Sequence, residues 1–252
     1  MRAPTVPQDY LLDPSFIVFA ATEPGDVRRI RREVEGRTWA AAHGLPTART
    51  VAVGPDDRWM ATRRVPDEPG ESQDYLEAAL DVARRIERIP APRFRTAGAS
   101  WAAPRSATVG NALRLAAAGV SPWLFASTRT AAARVPCTVT VHNDFHRANV
   151  LRAGPGEVVV IDWEYTSTGP RHHDFLRLLV DVVDADLARG GLESVLRSTT
   201  RAEHAAIAHQ LRWLALRTYG SEVCIPAADL RPDLVERRRR RWREVFAWTA
   251  GL

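Results

Sequence analysis

The chain has 252 residues, 45% hydrophobic and 26% charged, proportions that exclude disorder and collagen-like repeats and leave enough chain for a sizeable core. Its net charge of +5 is reached without lysine, all 35 basic residues being arginine, so no reaction step that needs a side-chain ammonium is open to it. Cys137 and Cys224 are too few for a disulfide framework and are expected as buried thiols; Met1 to Tyr10 lacks a signal-peptide core and no apolar run reaches membrane-spanning length, so a cytoplasmic protein without a membrane partner is expected.

Taken in order, Tyr10 to Leu12 and Phe16 to Ala20 are apolar runs around Asp13-Pro14-Ser15, which predicts a hairpin. Asp26 is placed to cap a helix that keeps its apolar period through Ile30, Val34 and Trp39 to His43, with Gly44 and Pro46 ending it. Thr50 to Val53 and Arg58 to Thr62 predict two strands joined at Gly54-Pro55-Asp56-Asp57. Val65 to Gln73, rich in Pro, Glu and Gly, reads as a linker. Tyr75 to Ile89 predicts a helix with Leu76, Ala79, Leu80, Ala83 and Ile86 on one face, and further helices are expected over about 110–133, 174–188, 193–217 and 232–249. Within the last of these, Arg237 to Arg241 reads as a solvated helix face; without a recognition motif it does not predict nucleic-acid binding.

The chemistry concentrates between Cys137 and Leu179. Thr138 to Val141 predicts a strand running into His142-Asn143-Asp144-Phe145-His146-Arg147-Ala148-Asn149; Val150 to Ala153 and Val158 to Ile161 predict a hairpin over Gly154-Pro155-Gly156-Glu157, followed by Asp162-Trp163-Glu164. With Pro155 and Gly156 at the turn, 150 faces 161 and Asn149 faces Asp162. An amide oxygen and a carboxylate would then lie side by side as two hard ligands for Mg²⁺, which takes its remaining ligands from water and substrate phosphates. Asp144, five residues before Asn149, suits a carboxylate that accepts or orients the proton of an attacking hydroxyl.

His142 to Leu151 resembles the H-G-D-x-H-x-x-N-[IVL]-L loop of the aminoglycoside phosphotransferase family, Val160 to Glu164 its I-D-[FW]-[DE] segment, and Gly169 to Phe175 its G-x-P-x-x-D-L stretch. Upstream, Arg32-Glu33 with Trp39 to Pro46, and Ala79 to Pro90, are similar to two of its helices. Asn143 stands where the family has glycine. The resemblance implies an α+β protein kinase-like two-lobed fold, with a small N-terminal lobe of β-sheet and one helix over residues 1–65 and a mainly helical C-terminal lobe over 66–252. It also implies transfer of the γ-phosphoryl group of ATP or GTP to a hydroxyl, with Asp144 as catalytic base, Asn149 and Asp162 as Mg²⁺ ligands, Glu33 in the nucleotide site and Asp174 as a brace.

Kinases pair that helix glutamate with a strand lysine. Here Phe16 to Ala20 offers no cation, and no glycine precedes it to form a phosphate loop. Arg28, Arg29, Arg32 or Arg64 could take over phosphate contact, with Arg64 placed among the nucleotide-binding residues; alternatively a partner protein completes the nucleotide lobe, or the chain is a pseudokinase scaffold. The acceptor implied is a small-molecule alcohol, or a peptide Ser or Thr if the chain serves a dehydratase pair. A metal-dependent hydrolase built from His142, Asp144, His146, Asp162, His172, His173 and Asp174 is a further alternative, which would leave Asn149 without a role.

Overall fold

The computed structural model describes residues 4–68, 70–93, 112–223 and 231–252. They pack as two compact units, the described residues of Met1–Ala99 with Val139–Thr168, and those of Ser100–Thr138 with Gly169–Leu252. No helix among them is long and apolar enough to cross a membrane. Cys137 is exposed, not buried as expected, and Cys224 lies outside the described residues.

In the first unit the predicted N-terminal hairpin is a short helix, α1 (Gln8–Leu12), followed by β1 (Phe16–Ala20). The Asp13 carboxylate accepts the Ser15 amide and closes the turn between them. β1 finds its partner elsewhere, pairing antiparallel with β3 (Trp59–Arg63), which also pairs with β2 (Thr50–Val53). β3 is therefore the central strand, and Trp59, Met60, Ala61 and Thr62 are all buried. Against it lies α2 (Pro24–Ala42), whose Ile30 joins Ala21 and Met60 in a small core flanked by Val27 and Val34. Asp26 is not the cap itself: from the third helical position its carboxylate accepts the Thr22 and Glu23 amides at 2.8 and 2.9 Å, while Glu23 caps the helix. α3 (Gln73–Glu87) starts at Ser72, whose hydroxyl accepts the Tyr75 amide, and buries the predicted apolar stripe together with Tyr75 and Val82.

The same unit contains the hairpin β5 (Val150–Gly154) and β6 (Glu157–Val160). Its turn is as expected, with Gly154 opposite Glu157 and Gly156 at φ +67°. The register is not. A bulge between Arg152 and Gly154 adds one residue to β5, so Arg152 faces Val158, Val150 faces Val160, and Asn149 accepts the Ile161 amide at 2.9 Å instead of facing Asp162. The Tyr75 hydroxyl donates to the Val150 carbonyl and ties α3 to the start of β5. β4 (Cys137–Val141) and β7 (Ser167–Pro170) form a further two-stranded sheet.

The second unit is helical: α4 (Pro122–Ala132), α5 (His173–Asp181), α6 (Ala185–Arg197), α7 (Arg201–Val223) and α8 (Pro232–Trp248). Its core gathers Leu115, Phe125, Trp213, Leu216 and Tyr219. The two long helices expected over 174–188 and 193–217 are three, broken at 182–184 and 198–200. The Asp184 carboxylate caps α6 by accepting two amides, and Glu203 reaches back to the Thr200 amide at 2.9 Å to begin α7. The arginine run of α8 is only partly a solvated face. Arg238 and Arg241 are buried and donate to the Val180 and Leu179 carbonyls, both at 3.2 Å, satisfying acceptors that the end of α5 leaves open. Arg238 also pairs with the Asp181 carboxylate.

Candidate active site

The loop from β4 to β5 owes its shape to two residues before the candidate base. Asn143 takes the left-handed conformation, φ +71°, which explains why asparagine is accepted where the family motif has glycine, since few other residues tolerate it. Its amide donates to the Tyr165 carbonyl at 3.0 Å and to the Ser167 hydroxyl, a link glycine cannot make. His142 is fully buried, with Nε2 3.0 Å from the Ile161 carbonyl and Nδ1 accepting the Asp144 amide at 3.3 Å. That pairing fixes a neutral ring with its proton on Nε2. Burial pushes its pKa down to about 4, with Asp144 only partly offsetting the effect. It is a structural histidine, hydrogen-bonded through both ring nitrogens.

Asp144 and Asn149 meet directly. The Asn149 amide nitrogen donates to the Asp144 carbonyl at 2.9 Å and to its carboxylate at 3.1 Å. With its N–H groups so engaged, Asn149 has its carbonyl oxygen as the ligand-type atom. His146 Nε2 lies 3.4 Å from the same Asp144 carboxylate oxygen. Asp162 leaves β6 in a left-handed conformation, φ +64°, and its amide donates to Glu33 at 3.2 Å.

That turn returns Asp162 to the side of Asn149. Both line one cavity of about 510 Å³ with Ile161, facing Arg29, Ile30, Glu33 and Arg37 of α2. Val18, Phe19 and Ala20 of β1 and Met60 of β3 form its apolar wall. Burial, followed by the Glu33 and Glu164 carboxylates, raises the Asp162 pKa to about 6 despite Arg29, whose Nη2 is 3.6 Å away. A carboxylate held beside two other carboxylates suits a divalent ion. Among the described residues no three of His, Cys, Asp or Glu gather as a metal cage, which the hydrolase alternative requires. One carboxylate and one amide oxygen, completed by phosphate and water, fit Mg²⁺.

Of the sequence-predicted residues, Glu33, Asn149 and Asp162 share this cavity, and Asp144 adjoins it through Asn149. Arg64 does not join them: it is exposed, and its Nε donates to the Pro14 carbonyl at 2.7 Å. Arg28 is exposed, and Arg29 and Arg32 pair with the buried Glu164 at 2.7 and 3.3 Å. The residue sequence reasoning missed is Arg37. It follows Glu33 by one helical turn, the spacing at which opposite charges on a helix meet, and the two form a buried ion pair. Burial raises the Glu33 pKa, with Arg37 opposing.

Fold and site together define an α+β protein kinase-like protein. The model of the phosphotransferase enzyme family matches residues 11–215, and the chain belongs to that family. Among solved structures it resembles an aminoglycoside phosphotransferase from Alicyclobacillus acidocaldarius (15% identity over 100% of this chain and 96% of that one, TM-score 0.60). It also resembles an amicoumacin kinase in complex with AMP-PNP and Ca²⁺ (13%, 92% and 86%, TM-score 0.57) and an aminoglycoside-3'-phosphotransferase of type VIII (22%, 79% and 84%, TM-score 0.52). No functionally curated protein matches the sequence.

Proposed function

We propose that the protein moves the γ-phosphoryl group of ATP or GTP to a hydroxyl of a small molecule, with residues 1–65 as a reduced nucleotide lobe and 66–252 as the catalytic and acceptor lobe. The observation that carries the reading is the Asp144–Asn149 hydrogen bond beside a cavity that Asn149 shares with Asp162 and Glu33. Asp144 would accept the proton of the acceptor hydroxyl as its oxygen bonds to the γ-phosphorus and the bridging oxygen leaves on the nucleoside diphosphate. Asn149 and Asp162 would hold Mg²⁺, which supplies charge neutralisation on the phosphates. Glu33, accepting the Asp162 amide, holds that carboxylate in place. The amicoumacin kinase and aminoglycoside phosphotransferase relatives favour a small-molecule acceptor over a peptide one.

A second reading, a pseudokinase scaffold, draws on the Arg29–Asp162 contact, which sets a protein cation where the metal would bind. Labelled ATP or GTP with Mg²⁺ and a panel of hydroxylated acceptors, with and without neighbouring gene products, separates the two. Asp144→Ala and Asp162→Ala are expected to abolish transfer while leaving the thermal melt intact; full activity in either variant overturns the phosphotransferase assignment. Activity only with a neighbouring gene product indicates a partner-completed nucleotide lobe.

A further inference from the structure

Two side chains in the cavity are buried and incompletely paired. Arg37 is 5% exposed and Glu33 4%, and beyond their mutual ion pair the Arg37 Nη1 and the Glu33 Oε2 have no hydrogen-bond partner. Burying a guanidinium N–H without an acceptor is costly, and a cavity that Arg37 lines invites a ligand that supplies one. The remaining cations near the site are otherwise engaged: Arg29 and Arg32 pair with Glu164, and Arg64 lies outside the cavity.

We propose that Arg37 is the phosphate-contacting cation of this cavity. Its Nε is pinned by Glu33, and its Nη1 donates to an oxygen of a polyphosphate chain. The inference rests on the phosphotransferase reading above. A guanidinium presents several N–H groups in a fixed fork, so one side chain can hold a carboxylate through one edge and an anion through another. A cation on the glutamate's own helix thereby takes the task that a strand lysine performs in kinases. Asp26, Glu33 and Asp162 also line the cavity, so a bare polyanion would meet repulsion there. The ligand is therefore a polyphosphate carried in with its divalent cation.

The test is calorimetric binding of magnesium tripolyphosphate and of magnesium ATP to the wild type, Arg37→Gln, Glu33→Gln and the double variant. Arg37→Gln should weaken both ligands by about tenfold or more, the worth of one charged hydrogen bond. Because Arg37→Gln strands a buried carboxylate and risks unfolding, the Glu33→Gln/Arg37→Gln variant, which removes both charges, is decisive and should lose affinity equally. Glu33→Gln keeps the cation but loosens its pin and the Asp162 turn, and should lose less affinity than Arg37→Gln. A folded double variant that binds tripolyphosphate like the wild type overturns the inference. Loss of binding in Glu33→Gln as complete as in Arg37→Gln overturns it too, since the pair would then act only as scaffold. Wild type that takes tripolyphosphate but not ATP preserves the role of Arg37 and rejects the nucleotide reading; binding of neither rejects both.

Discussion

At the level of single residues, Asn143 carries more than its departure from the glycine motif suggests. A left-handed backbone at φ +71° and an amide bonded to Tyr165 and Ser167 make two separate demands, one conformational and one chemical. Asparagine meets both, glycine only the first and alanine neither. Asn143→Ala should therefore cost about 2 kcal/mol and Asn143→Gly less, an order read from urea midpoints. Equal stability of the alanine and wild-type proteins would show that the loop is held by something else. The substitution itself was visible in the sequence, but the reason it is tolerated was not, because backbone dihedrals and the proximity of Ser167 exist only in the folded chain. Asp144, Asn149 and Asp162 stand out in the sequence because phosphoryl transfer asks for those types at that spacing, and Glu33 only through the family resemblance; the structure brings Glu33, Asn149 and Asp162 to one cavity. Arg37 is readable in the sequence only as an i,i+4 partner of Glu33; its burial with that carboxylate belongs to the folded chain.

Among the elements, α2 supplies Arg29, Glu33 and Arg37 to the cavity, and one glycine sets its distance from the Asp162 turn. A β-carbon built on Gly36 would lie 2.7 Å from the Trp163 β-carbon and 2.8 Å from its carbonyl oxygen. Neither atom is the tip of a flexible side chain, so Gly36→Ala must push the helix away. Overpacking of that kind costs about 1 to 3 kcal/mol, against which the better helix propensity of alanine returns less than about 1. Gly25, in the first turn of the same helix, has nothing within 4 Å of such a carbon, and Gly25→Ala is the matched control. The thermal melt should fall for position 36 and not for position 25; two equal melts would remove Gly36 from the account. The existence of α2 and of the β5–β6 turn was readable from period and turn chemistry. The bulge after Arg152 was not: one extra residue changes every cross-strand partner from Arg152 back to Asn149 without disturbing the alternation that predicts a strand. Asn149 and Asp162 still reach one cavity, through the left-handed dihedrals of Asp162 and not through the flat pairing expected. The helix starts after Asp184 and Thr200 carry a cap residue and a Thr-x-x-Glu box, but a helical period that runs across both breaks hides them in the sequence.

For the molecule as a whole, the arginine-only basic set has divided roles, since Arg238 and Arg241 are buried on carbonyls while Arg240, in the same run, has a side chain 67% exposed. Counting charge along a sequence cannot separate these. Acid sensitivity comes in part from two fully buried histidines, His142 in the first unit and His173 in the second. His173, on α5, is held to a pKa of about 3, first by burial and then by Arg217 of α7 and Arg177 of its own helix, and His142 is held to about 4. Both values lie below the ordinary 6.5, so between the folded and unfolded values the unfolded chain binds more protons. The stability these residues contribute is complete above pH 6.5 and declines as pH falls toward 3 or 4, by up to about 1.4 kcal/mol per pH unit for each histidine. Urea unfolding followed from pH 7.5 to 5 should show this slope in the wild type. His173→Gln should lower the starting stability yet flatten the slope by half or more, since what remains of His142 is opposed by Asp162, whose pKa, raised to about 6, makes the folded chain gain stability as pH falls. A variant whose stability falls with acid as steeply as the wild type's would mean that His173 takes up its proton alike in the folded and unfolded chains, and that its burial among arginines does not disfavour the imidazolium.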